Sequence, residues 1–159
     1  MSLLKSTLIA TGIGGSFALF FLGRYKNASK EIQVLPSFSI PNFGLKGLTV
    51  EINLTIKNPT TVTLNIMYPF MRLMLGGSLI GSSQVINQVI KIPSYGEVQI
   101  NKITIPISLM EELDLGLSLL SPLASGASVS AELVTVSALS FWFGDIAFER
   151  TTKVNLKKS

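Results

Sequence analysis

The sequence has no cysteine and no histidine among its 159 residues. Without cysteine there is neither a disulfide framework nor a thiolate metal site. Without histidine, the usual general base near neutral pH and the commonest metal ligand are both missing. Most hydrolytic and transition-metal mechanisms are thereby closed off. Charge is scarce too: 14% of the residues are charged, against about 25% in typical soluble proteins. Hydrophobic residues make up 47%, so either part of the chain lies in lipid or much of its surface is covered.

The net charge of +4 is confined to one end. Lys5, Arg24, Lys26 and Lys30 stand in a stretch without any acid, whereas from Glu31 onward nine bases balance nine acids. A neutral body argues against nucleic acid as a partner, because that would need a basic stripe on the folded domain.

Between Lys5 and Arg24 the chain reads STLIATGIGGSFALFFLG, 18 residues without a charge. At ~1.5 Å per residue a helix of this length spans roughly 27 Å, close to the hydrocarbon thickness of a bilayer. Leu8, Ile9, Ile13, Phe17, Leu19, Phe20, Phe21 and Leu22 are its apolar bulk. Arg24, Tyr25, Lys26 and Lys30 follow at once, an aromatic and basic set suited to the headgroup level. Gly12 and Ser16, with Gly15 four residues after Thr11, give small pairs that let a second helix approach. A buried core helix would carry a polar stripe, and a cleaved signal peptide would show a small-x-small site where the basic cluster stands. Residues 1–30 therefore read as a single-pass anchor with its juxtamembrane segment. Three bases after the run against Lys5 and the terminal amine before it weakly favour a cytoplasmic body. Asn27 to Pro41 reads as a stalk.

Residues 31–159 read as a mainly β domain. Gly47 to Lys57 alternates cleanly, with Leu48, Val50, Ile52, Leu54 and Ile56 on one face, which predicts a half-buried antiparallel strand. Asn58-Pro59 ends it, since proline cannot donate to a ladder. Val62–Met67 and Phe70–Leu75 supply further strand material around a break at Tyr68-Pro69. Gly76-Gly77-Ser78 then predicts a hairpin turn. A short strand at Gln88–Ile92 is stopped by Pro93. From Glu97 to Ile107 the apolar phase changes near Asn101-Lys102, which predicts a β-bulge.

Ser108 and Glu111 match a helix capping box, and Leu109, Leu113, Leu117 and Leu120 recur at helical spacing up to Pro122, expected to close the helix. Ser128–Ser137 and Asp145–Leu156 return to strands. Seven or so strands with one short helix point to an antiparallel β-sandwich.

The order of these signals resembles the late embryogenesis abundant type 2 proteins and their water-stress/hypersensitive-response (WHy) domain. It is carried above all by TVEINLTIKNPT (Thr49 to Thr60), then Leu79-Ile80-Gly81, Pro93 with Gly96, and the isoleucine-rich strand before a leucine helix. The resemblance covers roughly Glu31 to Leu156. It implies an Ig- or fibronectin-III-like sandwich, often behind an N-terminal membrane anchor. The roles it implies are stress protection, adaptor work at a membrane surface or apolar-ligand binding, in a family many of whose members lack enzymatic activity. This chain is more apolar than ordinary members.

No residue set suggests a catalytic, cofactor or metal site. Glu111, Glu112 and Asp114 are too few for a hard cation, which takes six or more oxygen ligands, and they suit a helix N-terminus. Gly12 to Gly15 has neither the preceding strand nor the Lys-Ser/Thr pair of a phosphate loop. Phe141, Trp142 and Phe143 form the densest aromatic group. They read either as core filling or as an exposed contact for lipid or a protein partner. Two functions compete: a non-enzymatic scaffold at a membrane, including a subunit of a larger assembly such as a virion layer, or a lipid and apolar-ligand module. The expected partners are the bilayer and other protein subunits, with no small-molecule substrate.

Overall fold

Alternation sets the first sheet. In β2 (Gly47–Lys57) the five apolar residues Leu48, Val50, Ile52, Leu54 and Ile56 are all buried, in the phase the sequence predicts. The computed structural model describes residue 27 and residues 30–44, 47–108, 113–142 and 144–157. Within these, β2 lies between β1 (Gln33–Gly44) and β7 (Glu97–Ser108), antiparallel to both.

The stalk expected up to Pro41 is corrected here, because β1 occupies residues 33–44. Ile40 is buried and Val34 and Phe38 pack against the core. Pro36 and Pro41 are compatible with the strand because β1 pairs on one side only, and an edge position does not require every N–H. In β7 the expected bulge is present. The register with β2 shifts between Ile52 and Leu54, Lys102 has a φ of 58°, and its N–H donates to Asn53 Oδ1 at 2.9 Å.

The second sheet is organised by β8 (Val129–Phe141), which pairs along its whole length with β9 (Gly144–Leu156). Its other edge meets β4 (Phe70–Leu75) and β3 (Leu64–Met67). These are two parts of one strand interrupted at Tyr68-Pro69, and the register slips by one residue between Ile66↔Leu139 and Phe70↔Val136. Outside them lie β5 (Ser78–Ser82) and β6 (Val89–Ile92). The chain therefore has nine strand segments among the described residues rather than seven. Gly76 and Gly77, with φ of 56° and 85°, form the two-residue loop between Leu75 and Ser78 that only left-handed backbone allows without strain. On the outer face the Arg72 guanidinium bonds Glu149 at 3.2 Å, crossing β8 from β4 to β9.

The helix α1 (Leu113–Ala124) links β7 of one sheet to β8 of the other and places Leu119 and Leu123 in the core. Pro122 does not close it. The stop is Gly126, at φ 81°: its N–H donates to the Leu123 carbonyl at 3.2 Å, and that of Ala127 to the Pro122 carbonyl at 2.8 Å. This pairing satisfies the last carbonyls in the manner of a left-handed glycine cap. Ser108 ends β7, whereas Leu109 and Glu111 of the expected stripe and capping box lie outside the described residues, as do the side chains of Leu113, Leu117 and Leu120.

The registers give the sandwich two poles. Gln33, Lys57, Glu97, Ile92, Leu64, Phe141 and Gly144 are the strand ends of one, the loop pole; Gly44, Gly47, Ser108, Val129, Leu156 and α1 mark the other, the helix pole. The sheets also meet along a seam. A Cβ on Gly81 of β5 would lie 2.7 Å from Ile105 Cγ2 and 2.8 Å from the Pro106 carbonyl oxygen of β7.

Candidate functional site

Two connections cross between the sheets at the loop pole: residues 58–63 from β2 to β3, and residues 93–96 from β6 to β7. Asn58 ties them together from a position only 1% exposed. Its Nδ2 donates to the carbonyls of Val62 at 2.7 Å, Pro93 at 2.9 Å and Ile92 at 3.4 Å. Its Oδ1 accepts from the Thr60 N–H at 3.1 Å and from Thr60 Oγ1 at 2.7 Å. Backbone bonds from Asn58 N to the Gly96 carbonyl and from Tyr95 N to the Thr60 carbonyl complete the knot. A buried amide that fills both its donor and acceptor capacity is a rigid strut.

This strut holds up the turn Pro93–Gly96, where Tyr95 sits at a φ of 53° with its side chain 71% exposed. At the same pole the β8–β9 hairpin ends in Trp142, which is 95% exposed. Phe141 beneath it is partly buried against the core. The aromatic group is thus split. Core filling holds for Phe141, but that reading is corrected for Trp142, which follows the last β8–β9 pair and stays exposed. Phe143 lies outside the described residues.

The described charges at this pole balance. Lys57 pairs with Glu97 at 3.5 Å, and Lys30, Glu31, Lys91 and Asp145 are exposed singly around the rim. On and between β5 and β6 the apolar residues Leu79, Val85, Ile86 and Val89 are exposed.

The expected anchor residues Leu8, Ile9, Ile13, Phe17, Leu19, Phe20, Phe21 and Leu22 lie outside the described residues, as do Gly12, Gly15, Ser16, Arg24, Tyr25 and Lys26. Among the described residues no helix is long and apolar enough to cross a membrane. Glu111 and Glu112, and the side chain of Asp114, also lie outside. Among the described residues no group of three acids comes together in a way that would hold a metal ion. In the sequence Asn58 marks only the end of a strand, and Tyr95 carries no signal of its own. Nothing local marks Asn58 as a strut, since its Pro93 partner is 35 residues away.

No family model matches the sequence. Nor does a search of curated proteins find a match. Among solved structures the chain is similar to a protein from Archaeoglobus fulgidus at 9% identity and a TM-score of 0.47, covering 79% of this chain and 96% of that one. It is also similar to an Arabidopsis thaliana protein solved in solution, at 10% identity and a TM-score of 0.48, covering 77% and 80%. A third, provisionally described as a late embryogenesis abundant protein, aligns at 10% identity and a TM-score of 0.42, covering 99% of this chain and 86% of that one.

Proposed function

We propose that this protein is a non-enzymatic, membrane-anchored binding or structural module, single-pass through its N-terminal segment, whose sandwich serves other protein subunits at the membrane surface. The observation that carries the reading is the 18-residue uncharged run, followed by Arg24, Tyr25 and Lys26, within ten residues of the start of β1 at Gln33. A run of that length matches the bilayer, and the basic and aromatic residues after it match the headgroup level.

The exposed apolar residues Leu79, Val85, Ile86 and Val89, on and between β5 and β6, support contact with protein, since a cluster of exposed apolar side chains is a surface that a further subunit can cover. The absence of histidine and cysteine from the whole chain supports a role without chemistry.

Alkaline carbonate extraction tests the anchor. The full-length chain is expected in the membrane pellet, and a chain shortened to begin at Glu31 in the supernatant. Full-length protein released by carbonate refutes the anchor.

A further inference from the structure

The loop pole is where the chain enters the sandwich. Ile32 is only 3% exposed and belongs to the core cluster, so the path is fixed to the domain from that residue onward. Between the uncharged run, which ends at Gly23, and Ile32 lie eight residues, Arg24 to Glu31. Fully extended, they span at most about 28 Å. Lys30 and Glu31 are helical, and helical residues advance only ~1.5 Å each, so the actual reach is shorter. On the anchor reading, on which this inference rests, so short a tether keeps the loop pole beside the headgroups while the helix pole points away.

That pole carries the residues such a position favours. Trp142 and Tyr95 are the two aromatic side chains among the large exposed apolar residues of the described chain, and both project from its turns. The other five, Leu35, Leu79, Val85, Ile86 and Val89, are aliphatic, and all but Leu35 lie on or between β5 and β6. Trp and Tyr are the side chains enriched at the membrane–water interface, where an apolar ring with a polar tip fits the headgroup level. Both stand on stiff supports. Tyr95 is in the turn fixed by Asn58, and Trp142 follows a strand paired with β9 up to Phe141↔Gly144.

We infer that the loop pole is a lipid-docking surface, with Trp142 and Tyr95 seated among the headgroups of the bilayer that holds the N-terminal segment. The described charges at this pole, Lys30, Lys57 and Lys91 against Glu31, Glu97 and Asp145, cancel. Docking is therefore aromatic rather than electrostatic: zwitterionic phosphatidylcholine suffices, and salt has little effect.

Trp142 is the one tryptophan in the sequence, so tryptophan emission has a single source. The full-length protein is reconstituted into phosphatidylcholine vesicles, and its emission is compared with that in vesicles whose acyl chains are brominated near the headgroup. The expected result is a maximum shifted to shorter wavelength and a loss of intensity with the brominated lipid, both persisting at high salt. Tyr95→Ser reduces the quenching, whereas Val85→Ser, between β5 and β6, leaves it unchanged. Unquenched emission overturns the proposal, whether it stays at the long wavelength of exposed indole or shifts through contact with protein. Quenching that disappears at high salt overturns the aromatic mechanism. Carbonate extraction of the same vesicles separates the two readings: protein that stays in the pellet with unquenched Trp142 retains the anchor and loses the docking surface.

Discussion

Replacing Asn58 by alanine removes the strut that joins the two inter-sheet crossings at the loop pole. The carbonyls of Val62 and Pro93 each lose a donor at under 3 Å, and Thr60 loses the acceptor for both its N–H and its hydroxyl. Each such bond contributes about 1 kcal/mol net, and a polar atom left buried and unpaired costs about 1–3 kcal/mol. Thr60 is half-buried and Pro93 exposed, so water reaches part of the gap, and the expected loss for Asn58→Ala is about 2–4 kcal/mol.

Asn58→Asp conserves shape but turns the donor into a second anionic oxygen facing three carbonyls. It is expected to cost more than alanine at neutral pH, about 3–5 kcal/mol, as for other unpaired buried charges. The sign of its pH dependence follows. Burial and the facing carbonyls raise the folded-state pKa of the new carboxyl above its unfolded value of about 3.9. Its penalty is full above the folded pKa and fades as pH falls toward the unfolded one. Urea unfolding followed by far-UV circular dichroism is the assay, since Trp142 is 95% exposed and its emission reports little about packing. The argument is refuted if Asn58→Ala lies within about 0.5 kcal/mol of the parent, the range of inert surface changes. It is equally refuted if Asn58→Asp gains nothing relative to the parent on acidification.

Ile52→Asp, which puts a charge at a fully buried position of β2, is expected to cost several kcal/mol. Asn53→Asp keeps the acceptor for the Lys102 N–H and is nearly neutral; equal thermal melting temperatures for the two variants contradict the β2 register. Gly81→Ala forces a methyl to within 3 Å of Ile105 Cγ2 and the Pro106 carbonyl. It is expected to lower stability by about 1–3 kcal/mol, read as a lower urea midpoint, and an unchanged midpoint means that the β5–β7 seam has room for the methyl.

What the sequence made legible was periodic or local. β2, the Gly76-Gly77 hairpin and the bulge at Asn101-Lys102 each follow from a pattern within a dozen residues, and each stands in the structure where the pattern places it. β1 is hard to see locally, because Pro36 and Pro41 fall within it and only its place at the sheet edge makes them harmless. Pro122 was misread as a stop because the stronger signal, Gly126 at a left-handed φ, lay four residues further on. β8 runs past its expected end at Ser137 because its last four residues form a hairpin with Gly144–Ala147 of β9. The candidate site was legible only in composition. The aromatic group stood out, but which ring the hairpin would bury and which it would leave in solvent depends on where the last ladder pair falls. Tyr95 drew no attention, because its exposure follows from a turn held by Asn58 across 35 residues of sequence.

The one-way run of β9 from the loop pole to the helix pole sets a length scale for anyone attaching cargo to this protein. Thirteen residues of strand extend roughly 40 Å at ~3.3 Å per residue. A fluorophore or affinity handle joined after Leu156 therefore leaves from the pole opposite Gln33, with the whole sandwich between them. A C-terminal fusion should leave Trp142 and Tyr95 unobstructed, whereas an insertion of the same size in the Pro93–Gly96 turn would sit directly against them. The protein has the geometry of a rigid spacer, and its two poles can be addressed independently.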